Sequence, residues 1–108
     1  MADWKEIWKR AENAKIHFIQ TNNFVIFEDL LKQYPNDGMV YYNLGNAYEE
    51  RKEYDKALEA YQKAQSLFPM FKWRQKAHEG ITRVQIYMKR EDDSENGNTD
   101  NDDEFVIF

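Results

Sequence analysis

The sequence predicts an all-α fold made of antiparallel helix pairs, and three observations within residues 38–71 lead to it. Large apolar residues recur three and four positions apart at Tyr41, Leu44 and Tyr48, which places them on one face of a first helix. A second helix carries small and large apolar residues at the same spacing, namely Ala57, Tyr61 and Ala64. Pro69 cannot continue this second helix, so it closes the unit.

Two further residues of this unit indicate how its helices begin and meet. Gly45 lies inside the first helix, where glycine costs about 1 kcal/mol relative to alanine. We therefore expect another helix to approach Gly45 closely. Asp55 follows the connection between the helices, and its carboxylate can accept a backbone N–H of the next turn. We expect Asp55 to be the N-cap of the second helix.

Residues at these offsets resemble the tetratricopeptide repeat (TPR), a helix–turn–helix unit of about 34 residues. The matching positions are Tyr41, Leu44, Gly45, Tyr48, Ala57, Tyr61, Ala64 and Pro69. The resemblance implies a right-handed superhelix of antiparallel helix pairs. It also implies a function in protein–protein recognition.

Counting outward by the repeat length extends the pattern on both sides of this unit. A more divergent repeat spans about residues 4–37, with helices at about 3–20 and 23–33. On the other side, about residues 72–90 form a single capping helix with a polar outer face, as repeat arrays require at their ends. We therefore expect one TPR-like helical domain over residues 1–90.

The charge of the chain is unevenly distributed. Of the 108 residues, 20 are acidic and 15 basic, for a net charge of −5. Eight of the acidic residues, and none of the basic ones, lie in Glu91–Glu104, which leaves residues 1–90 with a net charge near +3. Such a composition predicts a flexible acidic tail over residues 91–108. The tail ends in the apolar segment Phe105–Phe108, whose sequence also occurs at Phe24–Phe27.

Residue types typical of catalysis or cofactor binding are sparse. The chain has no cysteine, and its four glycines are scattered rather than grouped in a phosphate-binding loop. His17 and His78 lie far apart and have no second ligand at a spacing typical of zinc sites. We therefore expect no enzymatic activity, no metal and no cofactor.

Other partner classes are disfavoured by composition and patterning. Residues 1–90, with a net charge near +3, have no concentrated basic stripe, so we expect no nucleic-acid partner. No apolar run is long enough to span a membrane, and the first residues contain no apolar signal core. We expect no membrane partner and a cytoplasmic location.

In the TPR family, the first helix of each pair lines a concave groove that binds peptides. The resemblance implies a groove lined by Lys5, Trp8, Lys9, Glu12 and Lys15, by Met39, Tyr42, Asn43, Asn46 and Glu50, and by Trp73 or Arg74, Lys76, Ala77 and Arg83. We expect Tyr42 to face the groove. For Trp8 and Trp73, a place in the groove and a place inside the fold are equally open.

Some members of the family bind the acidic end of a chaperone through a carboxylate clamp. The clamp needs lysine and asparagine on the first helix, asparagine on the third, and lysine and arginine on the fifth. Asn43 fits the central position, but Trp8 and Glu12 do not fit the first two, and Trp73 and Ala77 do not fit the last two. The function of a chaperone-binding co-chaperone is therefore disfavoured.

Two functions remain open on the sequence alone. The first is a non-catalytic adaptor that binds a peptide or partner protein in the groove, with its own acidic, apolar-tipped tail as a ligand in cis or in trans. The alternative is a self-associating structural or assembly subunit, because the array has fewer than the about three repeats usually needed for stability. Self-association could use Phe105, Val106, Ile107 and Phe108.

Overall fold

A computed structural model describes residues 3–95, which form five α-helices and contain no strand. The helices are α1 (Trp4–Thr21), α2 (Val25–Gln33), α3 (Gly38–Glu50), α4 (Tyr54–Leu67) and α5 (Phe71–Glu95). The all-α class is thereby confirmed. None of the described helices has the length and apolar character needed to cross a lipid bilayer.

The last helix is longer than the sequence suggested. It runs through Glu91–Glu95, the first residues of the expected tail, instead of ending near residue 90. Aspartate, glutamate and serine carry only modest helix penalties, and this stretch contains neither glycine nor proline to stop the helix. The rest of the expected tail, residues 96–108, lies outside the described residues.

The starts of the helices differ in how they are capped. Asp3 and Asp37 are the N-caps of α1 and α3, and each carboxylate accepts a backbone N–H at 2.9 Å. The expected cap at Asp55 is wrong, because the three-residue connection lets α4 begin earlier, at Tyr54. Asp55 lies in the first turn instead, where its negative charge still favours the helix N-terminus.

The expected close approach at Gly45 is confirmed, and Tyr61 of α4 makes the contact. A Cβ atom at position 45 would lie 2.7 Å from the Tyr61 ring. A Cβ atom added at Gly80 of α5 would lie 2.8 Å from the Cζ atom of the same ring. The fully buried Tyr61 ring therefore sits where α3, α4 and α5 meet, and the two glycines make room for it.

The remaining core joins α1 and α2 to this unit. Phe18 of α1 packs edge-on against Phe27 of α2 and Tyr48 of α3. The helix α3 therefore packs against α1 on one side and α4 on the other, while α5 packs mainly on α4. This arrangement brings one face of α1, α3 and α5 to a shared side of the molecule, which we call the shared face.

Candidate functional site

The first half of the shared face is filled by four aromatic side chains, which we call the aromatic cluster: Trp8, Tyr42, Phe68 and Trp73. The ring centroids of Trp8 and Trp73 lie 5.3 Å apart, and each lies about 6 Å from that of Tyr42. Phe68, at the end of α4, stacks on Trp73 at 5.7 Å. Trp8, Tyr42 and Trp73, which were expected to line a groove, therefore pack against each other, and each is only partly exposed.

Three other residues assigned to the groove are buried. Asn43 and Ala77 are fully buried and do not line an accessible groove, whereas Met39 is 9% exposed and lines a cavity at the start of α3. The Asn43 side chain is fully buried and donates from Nδ2 to the Met39 carbonyl at 2.9 Å. Its Oδ1 atom has no hydrogen-bond partner among the described residues. Met39 and Ala77 belong to the buried cluster against which Trp8, Tyr42 and Trp73 pack.

The structure also separates the two alternatives at the start of α5. Trp73 joins the aromatic cluster, whereas Arg74 turns towards the connection from α4. The Arg74 guanidinium donates to the carbonyl oxygens of Phe68 and Pro69, at 3.2 and 2.8 Å. Arg74 therefore holds the α4–α5 connection in place.

The charged residues assigned to the groove remain at the surface. Lys5, Lys9 and Lys76 are exposed, and Glu12 is partly exposed. The Lys5 ammonium lies 5.7 Å above the ring of Trp4.

The second half of the shared face is open. A pocket of about 470 Å³, which we call the central pocket, lies between α1, α3 and α5. Its lining residues are Lys15, Ile19, Asn46, Glu49, Glu50, Lys52, Tyr54, Arg83 and Tyr87. Lys15, Asn46, Glu50 and Arg83 were assigned to the groove from the sequence, and the structure brings these four together.

The other lining residues were missed by the sequence reasoning, although a signal existed for two of them. Glu49 and Tyr87 continue the helical spacing from Asn46 and Arg83 by one further turn. Lys52 lies in the α3–α4 connection, where it adopts a left-handed backbone with φ of 63°, and Tyr54 is the first residue of α4. A helix-face pattern does not reach residues in a connection.

An ion pair crosses the floor of the central pocket. The Arg83 guanidinium donates to both carboxylate oxygens of Glu49, at 2.6 and 2.8 Å. The Tyr61 hydroxyl donates to the same carboxylate at 2.7 Å and also lies within hydrogen-bond distance of the Asn46 amide. This network ties α3, α4 and α5 together at the base of the pocket.

The network sets the protonation of its members. Burial raises the pKa of the Glu49 carboxyl, but hydrogen bonds from Arg83 and Tyr61 outweigh this effect and hold the pKa below its ordinary value. Burial, together with the neighbouring Glu49 carboxylate, raises the pKa of the Tyr61 hydroxyl. The hydrogen bond to Glu49 raises the pKa of Arg83. Near neutral pH the network therefore holds an ionised pair and a neutral phenol.

Two cations and one anion at the rim stay outside this network. Lys15, Lys52 and Glu50 have no ion-pair partner among the residues that the structure describes. Tyr54 and Tyr87 pack together beside them with ring centroids 5.4 Å apart. The pocket thus offers hydrogen bonds, a small excess of positive charge and an aromatic wall.

Within residues 3–95, no group of three or more His, Cys, Asp or Glu side chains is placed to hold a metal ion. His17 and His78 lie on different helices, α1 and α5.

Comparison with known proteins agrees with this architecture. The family model for the tetratricopeptide repeat matches residues 39–71, which are α3, α4 and the connection to α5. No curated protein and no solved structure matched the chain. The repeat is generally a non-catalytic fold that serves protein–protein interaction. Residues 39–71 therefore match a tetratricopeptide repeat.

Proposed function

We propose that the chain is a non-catalytic interaction module that binds a carboxylate-bearing segment of a partner protein in the central pocket. The observation that carries the proposal is that this pocket is open and lined by residues from α1, α3 and α5 together. The match of residues 39–71 to the tetratricopeptide repeat supports a protein partner, and the position of the pocket on the shared face supports the site.

The charges of the pocket support an acidic rather than a basic ligand. Arg83 and Glu49 neutralise each other, which leaves Lys15 and Lys52 against Glu50 at the rim. A carboxylate between the two lysines would gain charge-assisted hydrogen bonds, and the tyrosine pair would pack against an adjacent side chain.

The chaperone-binding function is not proposed. Its clamp would use Asn43, whose side chain is fully buried. The chain's own acidic segment remains a ligand of the kind that the central pocket favours. It begins at Glu91, one turn of α5 beyond Tyr87, so it could compete in cis with an acidic partner.

Site-directed photo-cross-linking in cells tests the proposal. A photoreactive amino acid replaces Glu50, which lines the pocket, or Glu28, which is exposed on α2 and serves as the matched control position. We expect proteins to be captured from position 50 but not from position 28. Capture should fall when Lys15→Glu and Lys52→Glu are added, and should persist with Lys32→Glu on α2.

Two outcomes would contradict the proposal. Equal capture from both positions would indicate that binding does not use the central pocket. Capture that survives reversal of both pocket lysines would exclude an acidic ligand.

A further inference from the structure

A second cavity lies at the end of the molecule where α1, α3 and α5 begin. This cavity, which we call the end groove, has a volume of about 530 Å³. It is lined by Trp4, Asn36, Asp37, Gly38, Met39, Leu67, Phe68, Pro69, Met70, Lys72 and Trp73. Its size lies within the range of cavities that bind ligands.

Exposed apolar side chains are concentrated around this groove. Trp4 is 57% exposed and Met70 is 55% exposed, and Phe71, beside them at the start of α5, is 69% exposed. Met39 and Phe68 form an apolar floor below. Apolar side chains this exposed at one end of a small domain mark a surface that another chain can cover.

The rim of the end groove carries one cation, Lys72, that can pair with an acidic ligand. The Asp37 carboxylate is already used, since it accepts the Met39 N–H at 2.9 Å. Lys72 lines the same groove and has no ion-pair partner within the described part of the chain. A suitable ligand therefore combines apolar side chains with a nearby carboxylate.

The chain itself contains a segment with this chemistry. Residues Asp102–Glu104 are acidic, and Phe105–Phe108 follow as four consecutive apolar residues. The central pocket, which is polar and charged, does not suit such an apolar tip. We propose that the end groove binds Phe105–Phe108 of a second copy of this chain, so that molecules associate head to tail.

The length of the chain favours the second copy over the same molecule. The end groove lies at the start of α5, and the 25 residues of α5 carry the chain about 36 Å away from it. The ten residues from Asn96 to Phe105 span at most about 36 Å when fully extended. A flexible segment of that length has an r.m.s. span of about 17 Å. Return to the same molecule would require a fully stretched chain, whereas a second molecule has no such constraint.

A contact of this kind joins two different surfaces, so each molecule keeps one free groove and one free tip. Association then continues into open chains, or into rings if the rotation closes. The average mass should therefore rise continuously with concentration instead of levelling off at a dimer.

Sedimentation velocity of the full chain over a range of concentrations tests this inference. The tip variant carries Phe105→Ser and Phe108→Ser, and the groove variant carries Trp4→Ser and Met70→Ser. Each variant alone should remain monomeric, with association weakened at least about tenfold. The control variant, Val25→Ser with Ile86→Ser, removes two exposed apolar residues elsewhere and should associate like the wild type.

Mixing provides the decisive measurement. The tip variant keeps an intact groove and the groove variant keeps an intact tip, so the mixture should form a one-to-one dimer and nothing larger. Far-UV circular dichroism of each variant confirms that the helices are retained.

Three results would overturn the inference. A wild-type chain that stays monomeric at all concentrations would show that the chain does not self-associate. Association that persists in the tip variant would exclude Phe105–Phe108 as the bound segment. A mixture of the two variants that stays monomeric would exclude the pairing of tip with groove.

Discussion

Replacing Gly45 by leucine would place a side chain where α3 and α4 now touch. A Cβ atom at this position would lie 2.7, 2.8 and 3.0 Å from the Cδ1, Cε1 and Cγ atoms of Tyr61. The ring cannot swing away freely, because Gly80 packs against its far end, where an added Cβ would lie 2.8 Å from Cζ, and because its hydroxyl donates a hydrogen bond to Glu49. The two helices would therefore have to separate.

The expected magnitude follows from two opposing effects. Leucine is a better helix former than glycine by about 0.7 kcal/mol, which favours the variant. Overpacking a core costs about 1–3 kcal/mol, and leucine adds four carbon atoms here, so the cost lies at the upper end or beyond. We expect a net loss of about 2 kcal/mol or more, equivalent to a fall in Tm of about 10 °C or more.

Thermal unfolding followed by far-UV circular dichroism measures this loss. The control is Gln62→Leu, which adds a leucine at an exposed position of α4 and should leave the Tm nearly unchanged. Gly45→Ala should fall between the wild type and the leucine variant. A Gly45→Leu variant as stable as the wild type would refute the packing of Tyr61 against α3.

Three further predictions concern the site. Asn43→Leu should raise the stability by about 1 kcal/mol, because it removes an unpaired buried carbonyl, and a lower Tm would show that Oδ1 has a partner. Tyr42→Ala should lower the stability by about 2–4 kcal/mol in urea unfolding, because the ring contacts other aromatic rings, and an unchanged midpoint would place Tyr42 outside the packed cluster. The ionised Glu49 carboxylate stabilises the wild type above about pH 4.5, and this stabilisation is lost as the pH falls through the lowered pKa of Glu49. Glu49→Gln should remove this contribution to the stability. The gap in Tm between wild type and Glu49→Gln should accordingly shrink from pH 7 to pH 3, and a gap independent of pH would contradict the role of the ion pair.

The repeat at α3 and α4 was predictable because its signals are local. The apolar stripes and Gly45 lie within single helices, where spacing alone determines the face. The start of α4 was less predictable, because an aspartate can serve as a cap or lie in the first turn, and the length of the connection decides between these positions. The length of α5 was underestimated because acidic composition suggested a tail, while no residue in Glu91–Glu95 prevents a helix.

The site was only partly predictable for a different reason. Helix-face spacing assigned Asn46 and Arg83 to one surface, and both line the central pocket. It could not show that Trp8 and Trp73 meet, because their contact depends on how far apart α1 and α5 lie across α3. Gly80 of α5 falls one place later than the glycine of the repeat pattern, so the sequence left the choice between Trp73 and Arg74 open. The packing of Gly80 against Tyr61 determines the rotation of α5 about its axis.

The aromatic cluster limits the shape of any ligand that enters the central pocket. Because Trp8, Tyr42 and Trp73 fill the shared face beside the pocket, an extended strand of a partner cannot continue along α3 in that direction. The central pocket is closed on the side of the aromatic cluster, so a bound segment must stop there or turn back towards the surface. A chain terminus or a tight loop satisfies this condition, whereas the middle of a straight, extended segment does not.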